Sequence, residues 1–69
     1  MTWKDYLKDK GFSYSTKDEV YFKSLGFGRR LEVEMLMKGL FEMREGRKIL
    51  FSNYIESFNE FKEKINNIL

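Results

Sequence analysis

Apolar residues recur along the chain with two different periods, and the changes of period divide it into elements. Near the start, Trp3, Tyr6 and Leu7 share one face at i, i+3, i+4 spacing. Thr2 precedes them and Asp5 follows it by three residues, a pairing in which hydroxyl and carboxylate satisfy the free N–H groups of a first helical turn. Gly11 supplies a stop, so a helix is expected over residues 2–10. Phe12-Ser13-Tyr14-Ser15 alternates large and small, enough for a short strand at 12–14.

At the other end the period is helical again. Tyr54, Phe58, Phe61, Ile65 and Ile68 recur at spacings of 4, 3, 4 and 3, and Glu60 and Lys64 can pair on the opposite face. Asn53 and Glu56 form a capping pair ahead of them, which predicts a long amphipathic C-terminal helix. Before it, Leu40-Phe41-Glu42-Met43-Arg44 and Arg47-Lys48-Ile49-Leu50-Phe51 flank Glu45-Gly46, which reads as a hairpin with a basic tip.

The middle of the chain gives two readings. Thr16-Lys17-Asp18-Glu19 is a capping box that opens a helix running to Leu25, while Val20-Tyr21-Phe22 suits a strand equally well. From Arg30 to Lys38, Leu31, Val33, Met35 and Met37 alternate with charged residues as on a strand. The same segment is made of helix-forming Leu, Glu, Met and Lys, and Gly28 and Gly39 bracket it like helix punctuation.

Composition limits what such elements build. Sixty-nine residues make a single domain, residues 1–69, with a thin core. An apolar fraction of 42% and twelve aromatics (one Trp, four Tyr, seven Phe) argue for a folded globule. Small domains usually need a staple, and the absence of both Cys and His leaves no disulfide and no soft zinc ligands. Good packing or a homodimer remains, with Tyr54, Phe58, Phe61, Ile65 and Ile68 the candidate dimerisation seam. No apolar run approaches the ~18 residues of a membrane span, and the N-terminus is too charged for a signal peptide. The expected setting is cytoplasmic, without a membrane role.

Net charge is only +2, but it is unevenly placed. Residues 23–52 hold seven basic side chains (Lys23, Arg29, Arg30, Lys38, Arg44, Arg47, Lys48) against four acidic ones (Glu32, Glu34, Glu42, Glu45), and all four arginines fall there. Such a local excess suits a phosphate-facing surface, and equally an ordinary solvated face. Without His or Cys the usual nucleophile–base pairs cannot be built, and Gly26-Phe27-Gly28 lacks the spacing of a phosphate cradle. Glu32 and Glu34 would share one side of a strand and could form a dyad or hold Mg²⁺, though such pairs beside arginines are usually solvated. No enzyme, cofactor or metal is expected.

The stretch Lys38-Gly39-Leu40-Phe41-Glu42-Met43-Arg44-Glu45-Gly46-Arg47-Lys48-Ile49-Leu50-Phe51-Ser52 resembles the end of a winged helix-turn-helix DNA-binding domain. The resemblance implies an α+β fold in the order helix-strand-helix-helix-hairpin-helix, with helices at 2–10, 16–25 and 29–38. It implies a transcription regulator or mobile-element accessory factor on duplex DNA. Arg29 and Arg30 would then open the recognition helix, Arg44, Arg47 and Lys48 would lie on the wing, and Lys38 would complete the DNA-binding set. On the strand reading, Arg30 to Ile65 resembles the strand-strand-helix end of positive-cofactor-four-type single-strand binders, in which Tyr21, Phe41 or Phe51 would stack bases. A third reading, carried by small size, mixed charge and many aromatics, is a protein-binding inhibitor or adaptor with no nucleic-acid role.

Overall fold

A computed structural model describes all 69 residues. Helix α1 (Trp3–Asp9) leads into five strands, β1 (Ser13–Ser15), β2 (Val20–Gly26), β3 (Arg29–Met37), β4 (Leu40–Glu45) and β5 (Lys48–Tyr54), and helix α2 (Phe58–Ile68) closes the chain. Each strand pairs antiparallel with the next, in the order β1-β2-β3-β4-β5. The two helices lie together on one face of this meander, and the other face is left open.

The first element forms as its pattern dictates. The Thr2 hydroxyl accepts from the Asp5 N–H at 3.2 Å, and the Asp5 carboxylate accepts from the Thr2 N–H at 3.1 Å. The 40–45/48–54 hairpin is also as expected, turning at Gly46, whose φ of +60° lies in the left-handed region.

The winged-helix architecture is overturned: the chain is 46% strand and 26% helix, and neither 16–25 nor 29–38 is helical. Residues 16–19 form the β1–β2 turn, closed by bonds from the Glu19 N–H to the Ser15 carbonyl and the Asp18 N–H to the Ser15 hydroxyl. The apparent capping box is therefore a turn, with Val20 and Tyr21 starting a strand. In β3 the period of two prevails. Tyr21 on β2, Val33 on β3 and Met43 on β4 stand in register, as do Lys23, Leu31 and Glu45. Strand geometry thus buries Leu31 and Val33 together against the helices, whereas a helix would spread them around its axis. The last helix also starts later than expected: its N-cap is Ser57, whose hydroxyl accepts from the Glu60 N–H, so Asn53 and Tyr54 belong to β5.

Twelve residues are buried, all of them apolar or aromatic. At the centre Trp3 meets Phe41, Tyr21 and Phe61 edge-on, with ring centroids 5.0, 5.6 and 5.9 Å apart. Each such pair contributes about 0.5–1.5 kcal/mol beyond the area it buries. Leu7, Met43, Ile65 and Val33 fill the space around them.

Candidate interaction surfaces

The open sheet face is a salt-bridge network instead of a basic patch. Strand pairing sets Phe22, Glu32 and Arg44 in one row and Glu34 beside Glu42 in the next. The Arg44 guanidinium meets Glu42 at 2.5 Å, Glu34 at 2.6 Å and Glu32 at 3.5 Å. Partial burial works against its charge, but the bonds it donates to Glu34 and Glu42 outweigh this and hold its pKa above the ordinary arginine value. Arg30 stacks on the Phe22 ring at 4.2 Å and lies within ion-pair distance of Glu32 and Asp18. This face therefore carries four carboxylates (Asp18, Glu32, Glu34, Glu42) against two guanidinium groups, a local balance that repels phosphate. Glu32 and Glu34, weighed as a dyad or Mg²⁺ pair, are both drawn to Arg44, and no group of three or more ligand-type residues is placed to hold a metal.

The six residues expected on DNA do not form one surface. Arg29 is held by Glu45 through two bonds of 3.0 Å, and Arg30 and Arg44 are committed to the sheet network. Only Lys38, Arg47 and Lys48 make no ion pair. Arg47 and Lys48 lie at the β4–β5 turn, while Lys38 lies at the β3–β4 turn. The length of β4 separates them, about 20 Å at ~3.3 Å per residue. Beside Arg47 and Lys48 stands the β2–β3 turn, where Phe27 projects fully into solvent with φ of +53° between two glycines. A non-glycine residue there is strained and gains nothing from packing.

The residues expected at a dimer seam are mostly core. Phe61 and Ile65 are buried, and Phe58 and Ile68 are partly buried against the same cluster. Tyr54 alone is well exposed, on β5.

The β3–β4 end of the molecule has a feature that the alternation hid. A bulge between Met35 and Met37 interrupts the ladder, so that Met35, Leu36 and Met37 are all about half exposed in succession. The Tyr54 hydroxyl donates to the Met37 Sδ at 3.3 Å, extending the apolar surface across β4 to β5. On the helix side, near Met35's strand partner Phe41, a cavity of about 230 Å³ is lined by Met1, Trp3, Phe41, Ile55 and Phe58. The sequence signal was Leu36, the apolar residue that breaks the period of two: three apolar side chains in a row cannot all face one core.

Titration of the fixed pairs yields a prediction. Bonding to Arg29 holds the Glu45 carboxyl below its ordinary value of 4.5, and bonding to the Thr2 backbone and hydroxyl holds Asp5 below 3.8. Both folded values are depressed, so these contributions are complete above the ordinary values and are lost as pH falls through the folded ones. With no histidine to titrate between pH 5 and 8, the thermal midpoint is expected to stay level there and to fall below about pH 4. Replacing Arg29 with alanine removes the Glu45 contribution, so the midpoint should be lower near neutral pH and its fall in acid shallower than the parent's, as followed by circular dichroism melts.

No helix is long and apolar enough to cross a membrane. Compared with protein-family models, curated proteins and solved structures, the chain matches none.

Proposed function

We propose that this chain is a small protein-binding module of the inhibitor or adaptor class, which docks through the apolar end formed by Met35, Leu36, Met37 and Tyr54. The observation that carries the reading is the run of three consecutive half-exposed apolar residues that the β3 bulge turns outward. Monomeric surfaces seldom keep a contiguous apolar patch without a use, and methionine adapts its shape to a partner at low cost. The adjoining cavity, floored by Trp3 and Phe41, offers a recess for one anchoring side chain.

A second reading, nucleic-acid binding, draws on the turn end, where exposed Phe27 adjoins the unpaired Arg47 and Lys48. An aromatic for stacking beside two cations is the minimal equipment for a nucleic-acid strand. Two phosphates engaged on a duplex would weaken binding by only about ten-fold between 50 and 200 mM salt.

The two readings separate in one pair of measurements. A photoreactive residue at Leu36 is expected to trap a protein of discrete mass in the native cell, with Met37→Glu abolishing the product. The same residue at Ser24, on the acidic sheet face, is expected to trap none. Equal trapping from both positions would sink the docking reading. Anisotropy with labelled duplex and single-stranded DNA is expected to show no binding at 50 mM salt. Binding that disappears in an Arg47→Ala/Lys48→Ala variant would transfer the assignment to the turn end.

A further inference from the structure

We propose that the cavity lined by Trp3, Phe41, Phe58 and Phe61 binds a trimethylated ammonium group, the tip of a trimethyllysine side chain on the docked partner. This rests on the docking reading above and names the side chain that the recess takes.

The cavity is built mainly from aromatic rings. Phe41 and Phe61 are buried, and Trp3 and Phe58 are half-buried. Trp3 inclines to Phe41 by 78° and to Phe61 by 65°, and Phe41 inclines to Phe61 by 56°. Rings set steeply to one another around one space bound it with π surface on several sides, and the negative ring faces attract a cation. The chain's own side chains report this attraction. The Lys4 ammonium lies 5.7 Å from the centre of the Trp3 ring, and the Lys62 ammonium 5.3 Å from that of Phe58. Neither lysine has an ion-pair partner that would hold it there. No lysine or arginine lines the cavity itself. Its one charged side chain is Glu56, exposed and without an ion pair, so the charge at its edge also favours a cation.

The polar groups of the lining select among cations. Apart from Glu56 they are two hydroxyls, and both are engaged at helix caps. The Thr2 hydroxyl accepts from the Asp5 N–H at 3.2 Å and donates to the Asp5 carboxylate at 3.1 Å. The Ser57 hydroxyl accepts from the Glu60 N–H at 3.1 Å. A lysine ammonium would bring three N–H donors into this space and a guanidinium five, and rings offer them no acceptor. Donors buried without partners are costly. A trimethylammonium keeps the charge, carries no donor and turns three methyl groups to the rings. The volume of about 230 Å³ lies below the ~300 Å³ at which pockets for drug-sized molecules begin, and suits a single side chain.

Trp3 is the only tryptophan, so its fluorescence reports on the cavity directly. The probe is N-acetyl-lysine amide in three forms: trimethylated, unmodified, and a neutral isostere in which a tert-butyl group replaces the trimethylammonium. The trimethylated form is expected to bind on the order of ten-fold more tightly than either of the others. Glu56→Gln should weaken it about three-fold, as suits an exposed charge, and leave the isostere unchanged. Phe58→Leu keeps the lining apolar but removes a ring, and should reduce the preference for the charged form. Should Phe58→Leu unfold the chain, the exposed Glu56→Gln still decides. Equal binding of the trimethylated form and the isostere would make the cavity a plain apolar recess and overturn the proposal. Tighter binding of unmodified lysine, or no binding of the trimethylated form, would overturn it too. Choline carries the same group without the lysine stem, and its binding more tightly than trimethyllysine would assign the cavity to a free metabolite and also overturn the proposal. The docking reading fails separately: trimethyllysine selectivity with no product trapped from Leu36 would remove the partner and keep the cavity's specificity.

Discussion

Replacing Phe61 with alanine is expected to leave the chain largely unfolded at 25 °C. The side chain is 1% exposed, and its ring meets Phe41 at 5.0 Å, Trp3 at 5.9 Å and Tyr6 at 6.4 Å. Truncating a core phenylalanine costs about 3–5 kcal/mol, through lost burial and the cavity left behind. At ~0.05–0.15 kcal/mol per residue, a domain of this length has about 3–10 kcal/mol in total, so one substitution removes much or all of it. The cost should lie at the upper end of its range, because Phe61 joins α2 to α1 and the sheet at once and no single neighbour can move to fill the space. Trp3 is the only tryptophan and sits against Phe61, so its fluorescence during urea unfolding reads the effect directly. Phe27→Ala is the internal contrast: the same residue type is lost from a fully exposed turn, and stability should hold or rise slightly. A Phe61→Ala midpoint close to the parent's would show that the aromatic cluster is not the keystone that its geometry implies.

What could be read from the chain beforehand was whatever depends on neighbours a few residues apart. The Thr2–Asp5 box, the Gly46 turn and the 58–61–65–68 stripe are local signals, and each appears where its spacing placed it. Residues 16–38 misled because two local signals conflicted and a distant one decided. Helix propensities differ by only tenths of a kcal/mol per residue, which is small beside the burial of Leu31 and Val33 that pairing with β2 and β4 secures. Tyr54 satisfied the helical spacing of α2 and the alternation of β5 equally, and pairing with Leu40 claimed it for the strand.

The candidate site was less legible still, since charge counting does not see partners. The excess of positive charge in residues 23–52 suggested a phosphate surface, yet Arg29 finds Glu45 sixteen residues away and Arg44 finds Glu32 and Glu34 at twelve and ten. Those pairings exist only once the strands are in register. The exposed Met35-Leu36-Met37 run was visible as letters, but its exposure depends on where the helices stop covering the sheet.

Removing Arg44 tests how far this network holds the open face together. Arg44→Met keeps the aliphatic stem and deletes the charge, leaving Glu32, Glu34 and Glu42 converging on one another with side chains only 23%, 26% and 13% exposed. A fully buried pair broken from one side costs about 3–5 kcal/mol; partial exposure here lowers the expected loss to about 2 kcal/mol at neutral pH. The sign of the pH dependence identifies the cause. If crowded negative charge is responsible, protonating a carboxylate relieves it, so the deficit of Arg44→Met relative to the parent should shrink as pH falls from 7 toward 4.5, where the parent is still level. Adding Glu34→Gln should recover part of the loss at pH 7 and flatten that dependence, because it removes one of the crowded charges. Thermal melts of the parent, Arg44→Met and the double variant across this range are the measurement. A deficit independent of pH and untouched by Glu34→Gln would mean that Arg44 supports the sheet through its packing stem, and that the three carboxylates tolerate one another through solvent.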